Sequence, residues 1–231
     1  MSPWVHAGVR AVFFDAVGTL LFPDPPVAAV YVAVARGQGV ALDPADIRPR
    51  FAAAFAAEEM ADRAAEWVTS EAREEQRWRR IVATVLPELP DPEAGFRRLF
   101  DHFARPTAWQ LYPDVPAVFA ALRGRGVAVG VASNFDARLL GVVAGFPHLE
   151  LVAESVIVSS LVGFRKPAAG FFDAVERAAG CDRARILFVG DDLVNDYDGA
   201  TAAGFAAVLL DEHGRHEATA RRVRSLGELL G

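Results

Sequence analysis

The sequence predicts an α/β fold, with a Rossmann-like parallel sheet in a three-layer sandwich and an inserted all-helical cap. Three observations predict it. Short apolar runs recur along the chain and stop at polar residues, the pattern of buried strands. Helical patterns separate those runs, and that alternation implies a parallel sheet covered on both faces. One stretch, Leu21–Trp109, breaks the rhythm with helices alone.

Arg10–Asp15 (RAVFFD) is apolar and ends in an acid shortly before Gly18, so it reads as a strand stopping at a functional turn. Val127–Ala132, Ile186–Val189 and Ala206–Leu210 repeat the pattern, and Ser155–Ser159 is a weaker candidate. Among the intervening helices, Asp114–Arg123 carries an Asp cap, an early Pro116 and Gly124 just past its end. Ala168–Ala179 and Asp196–Ala203 follow, and Ser225–Glu228 has capping-box spacing before a short C-terminal helix. Within the helical stretch, Pro26–Arg36, Asp43–Glu66, Glu71–Leu86 and Pro92–Ala104 all read as helices. Asp43-Pro44 and Asp91-Pro92 each place a capping acid before a proline at the first helical position. The expected division is residues 1–20 plus 110–231 as the α/β core and residues 21–109 as the cap. Pro-rich segments, Phe22–Pro26 and Arg105–Pro113, bound the insertion.

With 231 residues, 52% of them hydrophobic, the chain buries enough surface to need no disulfide or metal staple. A net charge of −6 gives it no general attraction to nucleic-acid phosphates. The longest apolar run near the start, Val27–Ala35, is far below the ~20 residues that span a bilayer. Met1–Arg10 also lacks the basic start and apolar stretch of a signal peptide. A lone cysteine, Cys181, makes no internal disulfide, so a reducing, cytoplasmic setting is expected. Among 24 Lys and Arg residues only Lys166 is lysine.

In parallel sheets, ligands bind beyond the carboxyl ends of the strands. The first strand delivers Asp15-Ala16-Val17-Gly18-Thr19-Leu20 there, and the second delivers Ser133-Asn134. Arg165-Lys166-Pro167 follows the third, and the fourth ends in Gly190-Asp191-Asp192-Leu193-Val194-Asn195-Asp196. Carboxylates gathered in one pocket repel one another unless a cation sits among them. Oxygen donors favour a hard ion such as Mg²⁺, which leans on a phosphate. Lys166 and Ser133 would then help to hold that anion.

These segments resemble the four motifs of the haloacid dehalogenase-like superfamily, in the branch with a helical cap between its first two motifs. They are FFDAVGTL at Phe13–Leu20, VASN at Val131–Asn134, the lysine of RKP at Arg165–Pro167, and GDDLVND at Gly190–Asp196. The resemblance covers essentially the whole chain, and SNFDARL at Ser133–Leu139 brings it nearest the branch described as haloacid dehalogenase-like hydrolase domain-containing proteins. It implies Asp15 as a nucleophile that forms an aspartyl-phosphate. Asp15, the main-chain carbonyl of Val17 and Asp191 would hold Mg²⁺, with Asp192, Asn195 and Asp196 completing or orienting that shell. Ser133, Asn134 and the amides of Val17–Gly18 would bind phosphoryl oxygens, and Lys166 would offset their charge. The implied activity is hydrolysis of a phosphoric monoester or an acyl phosphate, a phosphatase acting on a small phosphorylated molecule.

Val17 departs from the pattern. Phosphatases of this superfamily usually place a second aspartate there as general acid and base, help typically worth 10²–10⁴-fold in rate. The departure leaves two other readings open: a protein that binds a phosphorylated ligand or a partner with little turnover, and a 2-haloacid dehalogenase. Dehalogenases have serine and asparagine where this chain has Asp191 and Asp192, because extra negative charge would oppose an anionic substrate. A Schiff-base mechanism needs a cap lysine, and Leu21–Trp109 has none.

Arg73, Arg77, Arg79 and Arg80 surround Trp78 on one helix. They read as a solvated face paired with Glu71, Glu74 and Glu75. The five histidines show no ligand spacing.

Overall fold

Five apolar runs become the strands of one parallel sheet in the computed structural model, which describes residues 4–5 and 8–231. They are β1 (Ala11–Phe14), β4 (Ala128–Ser133), β5 (Val156–Val158), β6 (Ile186–Gly190) and β7 (Ala206–Leu210), joined at one edge by β8 (Arg222–Val223). The order is β5-β4-β1-β6-β7-β8, every pairing parallel. From β1 the chain builds outward to one edge and then returns to build toward the other. The carboxyl end of β1, flanked by β4 and β6, is therefore the switch point where a crevice opens. The expectations for Met1–Arg10 and His6 fall wholly or partly outside the described residues.

The sheet is buried on both faces. Val12 and Phe14 of β1 face one apolar cluster with Phe119, Val131 and Val189, while Ala11 and Phe13 face another with Phe171, Phe172 and Phe188. Helices α5 (Val115–Gly124), α6 (Arg138–Ala144), α8 (Ala169–Ala179) and the short α7 (Ser159–Val162) and α9 (Gly199–Ala202) complete the layers. Gly130 of β4 is where Phe13 of the neighbouring strand lies, leaving no room for a Cβ.

Helices α1 (Val27–Gly37), α2 (Pro44–Ala64), α3 (Glu71–Val85) and α4 (Pro92–His102) enclose an apolar cluster of their own, with Tyr31, Ile47, Ile81, Val85 and Leu99 inside. Both Asp-Pro starts work as caps: Asp43 Oδ1 accepts from Ala45 N–H at 2.7 Å, and Asp91 Oδ1 from Ala94 N–H at 2.9 Å. A two-stranded antiparallel ribbon, β2 (Leu21–Pro23) with β3 (Trp109–Leu111), ties the four helices to the sheet.

Several elements differ from the sequence expectation. Strands β2, β3 and β8 have two or three residues each, too short for any periodicity to register. Asp114 does not cap α5, because its carboxylate accepts from the Gly227 N–H at 3.0 Å. Ser225 caps nothing either, and the last helix is a 3₁₀ turn, Leu226–Leu230. The expected helix Asp196–Ala203 is a π-helical turn, Leu193–Asp198, followed by α9. Among the described residues no helix is long and apolar enough to cross a membrane.

A side-chain cap contributes about 1 kcal/mol. Asp43→Ala and Asp91→Ala should therefore each lower stability by about that amount in urea unfolding. Asp114→Ala should instead loosen the C-terminal segment, seen as faster amide exchange at Gly227.

Candidate functional site

The carboxyl ends of β1, β4 and β6 place their polar residues around one cleft. Asp15 leaves β1 with its N–H on Val189 O at 2.8 Å, so the neighbouring strand fixes where its carboxylate points. Lys166 meets it from the loop after α7. Its side chain is 2% exposed, and its ammonium donates to Asp15 Oδ1 at 2.6 Å, Asp196 Oδ1 at 2.5 Å and Ala132 O at 3.2 Å. Those three bonds use every proton a lysine has. Asp15, Asp191 and Asp196 each offer a carboxylate oxygen within 4.8 Å of the other two.

Two glycines make this convergence possible. Gly18 has φ +90°, the left-handed region, and a Cβ there would overlap the Asp191 carboxylate. A Cβ on Gly190 would overlap the carboxylate of Asp196. The widened π-helical turn carries Asp196 back beneath Gly190, where it also accepts from Asp192 N–H at 3.0 Å. π-helical turns of this kind recur at functional sites.

The structure redistributes several expected roles. Asp196, expected in the outer shell, is buried among the three converging carboxylates. Asp192 lies outside that group and caps the turn, accepting from Val194 N–H at 2.9 Å and Asn195 N–H at 2.8 Å. Asn195 turns its side-chain amide to Asp192 Oδ2 at 3.2 Å. Asn134 spends its amide on the main chain of Lys166, donating to its carbonyl at 3.0 Å and accepting from its N–H at 2.7 Å. Gly18 N–H is taken by Leu21 O at 2.8 Å. Of the expected phosphoryl-binding residues, Ser133 at the end of β4 and Val17 also line the cleft.

Sequence reasoning missed a buried ionic network beside Lys166. Arg165 is 3% exposed and pairs with Glu74 of α3, and its guanidinium lies 3.4 Å from Asp62 of α2. Arg77, also buried, pairs with Asp62 and with Glu59 at 3.2 Å. Arg73, Arg77 and Arg80 are therefore packed against acids of α2 and Arg77 is not solvated as expected, while Arg79 does pair with Glu75 of α3 at 2.7 Å. Acids four residues away on α3 looked like the natural partners, and only tertiary packing supplies the others. Above the carboxylates the cleft opens into a cavity of about 310 Å³ walled by rings from all four helices α1–α4 and by Trp109 and Phe135.

Asp191 keeps part of its surface exposed, but desolvation of its carboxyl and the charge of Asp15 push that group up to about 6. Burial likewise pushes Asp196 up to about 7, with Lys166 opposing and Asp15 adding to the rise. Burial works against the Lys166 charge, but Asp15 and Asp196 overcome it and hold the ammonium above the ordinary lysine range. Three crowded carboxylates with one ammonium are thus short of positive charge. Their oxygen donors suit a hard divalent cation.

Comparisons with known proteins follow the same lines. The family model described as haloacid dehalogenase-like hydrolase matches residues 9–204. The chain is 27% identical over 210 residues to human (Homo sapiens) haloacid dehalogenase-like hydrolase domain-containing protein 3, covering 87% of this chain and 82% of that protein. Its fold matches a HAD phosphatase from Thermococcus onnurineus (TM-score 0.67, 22% identity, 96% of each chain). It equally matches the L-2-haloacid dehalogenase of Xanthobacter autotrophicus (TM-score 0.74, 19% identity, 96% of this chain and 97% of that one). The fold therefore accommodates both chemistries, and the residues must discriminate between them.

A carboxyl whose pKa is raised by folding contributes stability below its unfolded value, near 4, and that contribution is lost as pH rises through the folded value. For Asp191 the window runs from about 4 to about 6. With a chelator present, Asp191→Asn should gain stability over wild type at pH 8 and only about half as much at pH 5. Parallel urea titrations read the difference, and an equal effect at both pH values would contradict it.

Proposed function

The chain belongs to the haloacid dehalogenase-like hydrolase family, and on that footing we propose that it is a Mg²⁺-dependent phosphatase acting on a small phosphorylated molecule through Asp15. The observation that carries this reading is the excess of carboxylate over ammonium where Asp15, Asp191 and Asp196 meet. Asp15, Asp191 and Asp196, with the Val17 carbonyl, would hold the cation. Bound there, a divalent cation would offset the carboxylate charge and polarise phosphoryl oxygens.

The remaining work falls to the chain's own groups. Lys166 grips Asp15 through Oδ1, which leaves Oδ2 as the attacking atom. That oxygen bonds to phosphorus as the leaving oxygen departs, and water then attacks phosphorus and releases the Asp15 carboxylate. Asn134 anchors the Lys166 main chain, so the ammonium enters from a fixed direction. Residues 21–109 act in this proposal as a cap that excludes bulk water and selects the substrate. Asp191 separates the proposal from release of halide, because a further acid beside the nucleophile would repel an anionic haloacid.

The test is hydrolysis of 4-nitrophenyl phosphate with Mg²⁺ and with a chelator. Chelation should abolish turnover, and Asp15→Asn should lower it by about 10³-fold or more. Turnover independent of both, or chloride released from 2-chloropropionate without metal, would overturn the proposal.

A further inference from the structure

The cavity above Asp15 is apolar and ring-lined, with Tyr31, Phe51, Phe55, Trp78, Phe100 and Trp109 among its walls. The charged side chains facing it are already spent. Arg138 pairs with Asp136 at 2.6 Å, donates to Phe100 O at 2.7 Å and lies 3.4 Å over the Phe100 ring. Arg165 is held by Glu74 and Asp62, and Glu59 by Arg77. Away from the carboxylate cluster the body of an occupant thus meets rings and side chains already held in ion pairs, an environment for an uncharged planar group. A volume of about 310 Å³ is at the low end of small-molecule sites, usually about 300–1,000 Å³, which limits that body to one or two rings.

A separate observation concerns the leaving group. Val17 lines the cavity where a proton donor would serve the departing oxygen. Outside the carboxylate cluster, the phenol of Tyr31 is the most acidic neutral group on the walls, and burial holds it above its ordinary range, so it is a poor acid. Without a proton, a phenoxide leaves far more readily than an alkoxide. Phenols have pKa about 10, as tyrosine does, whereas alcohols are far weaker acids, close to bulk water.

We propose that the substrate is the phosphate monoester of a small phenolic ring system, cleaved with departure of an unprotonated phenoxide. The proposal rests on the phosphatase reading above and names its substrate class. An Asp15 carboxylate oxygen bonds to phosphorus while the phosphorus–aryloxy bond breaks, and the phenoxide leaves with the electron pair to be protonated by solvent. Water then displaces the Asp15 carboxylate from phosphorus, and its protons leave with inorganic phosphate and solvent.

The experiment compares kcat/KM for 4-nitrophenyl, phenyl and 1-naphthyl phosphate with glycerol phosphate, with Mg²⁺ present. The aryl esters should exceed glycerol phosphate by about 10³-fold, with rates rising steeply as the phenol becomes more acidic. Naphthyl should exceed phenyl, and Trp78→Ala should erase that preference. Val17→Asp should raise glycerol phosphate turnover by about 10²-fold or more and flatten the dependence on leaving-group acidity. In Asp15→Asn, calorimetry should show 1-naphthyl phosphate binding at least tenfold tighter than glycerol phosphate. Glycerol phosphate turned over or bound as well as the aryl esters, by an Asp15-dependent enzyme, would overturn this proposal and leave the phosphatase standing. No hydrolysis of any phosphate ester would overturn both.

Discussion

Lys166 spends its three N–H donors on Asp15, Asp196 and the carbonyl of Ala132, groups delivered by three different strands of the sheet. An ammonium removed from water survives only where carboxylates compensate it, and buried carboxylates survive only where a cation does the same. The strand ends and the lysine loop therefore hold one another in register. Gly18 and Gly190 supply the space, Asn134 fixes the lysine main chain, and the π-helical turn brings Asp196 under the sheet. What the arrangement leaves unmet is positive charge, and Asp191 bears that deficit most openly.

The four-helix block is tied by hydrogen bonds to the segments that follow β4 and β5. Thr69 N–H reaches Gly163 O at 3.0 Å, and Arg165 N–H reaches Trp67 O at 2.9 Å. Glu66 and Trp67 adopt positive φ there, a backbone state that costs energy outside glycine and persists where neighbours impose it. Close by, Glu71 Oε1 accepts from Ala137 N–H at 2.9 Å and from the Ser160 hydroxyl, and Arg138 reaches Phe100 O. Arg165, locked into acids of α2 and α3, immediately precedes Lys166 in sequence. The placement of the helical block and the aim of the site lysine thus share one loop.

Much of this was legible in the sequence because strand ends announce themselves: an apolar run that halts at an acid, a Ser-Asn or a Gly-Asp-Asp marks both the strand and the cleft. The Asp-Pro caps were legible for the same local reason. Long-range partners were not. Asp114 looks like a cap until Gly227 claims its carboxylate, and Arg77 looks solvated until Asp62 of another helix buries it. The inward placement of Asp196, expected beside Asp192 in the outer shell, hangs on how the turn after β6 winds, which spacing alone does not encode. The rings of the cavity were hidden because phenylalanines at helical spacing look the same whether they fill a core or line a hollow.

Under the proposed function, Asp15, Asp191 and Asp196, with the Lys166 donors already committed, would bind one hard divalent cation. Isothermal titration of Mg²⁺ into the metal-free protein at pH 8 tests it without reference to turnover. A single saturable site in wild type, lost in Asp191→Asn while the fold persists by circular dichroism, is the expected result. Absence of binding in wild type, or binding that Asp191→Asn leaves unchanged, would contradict the account.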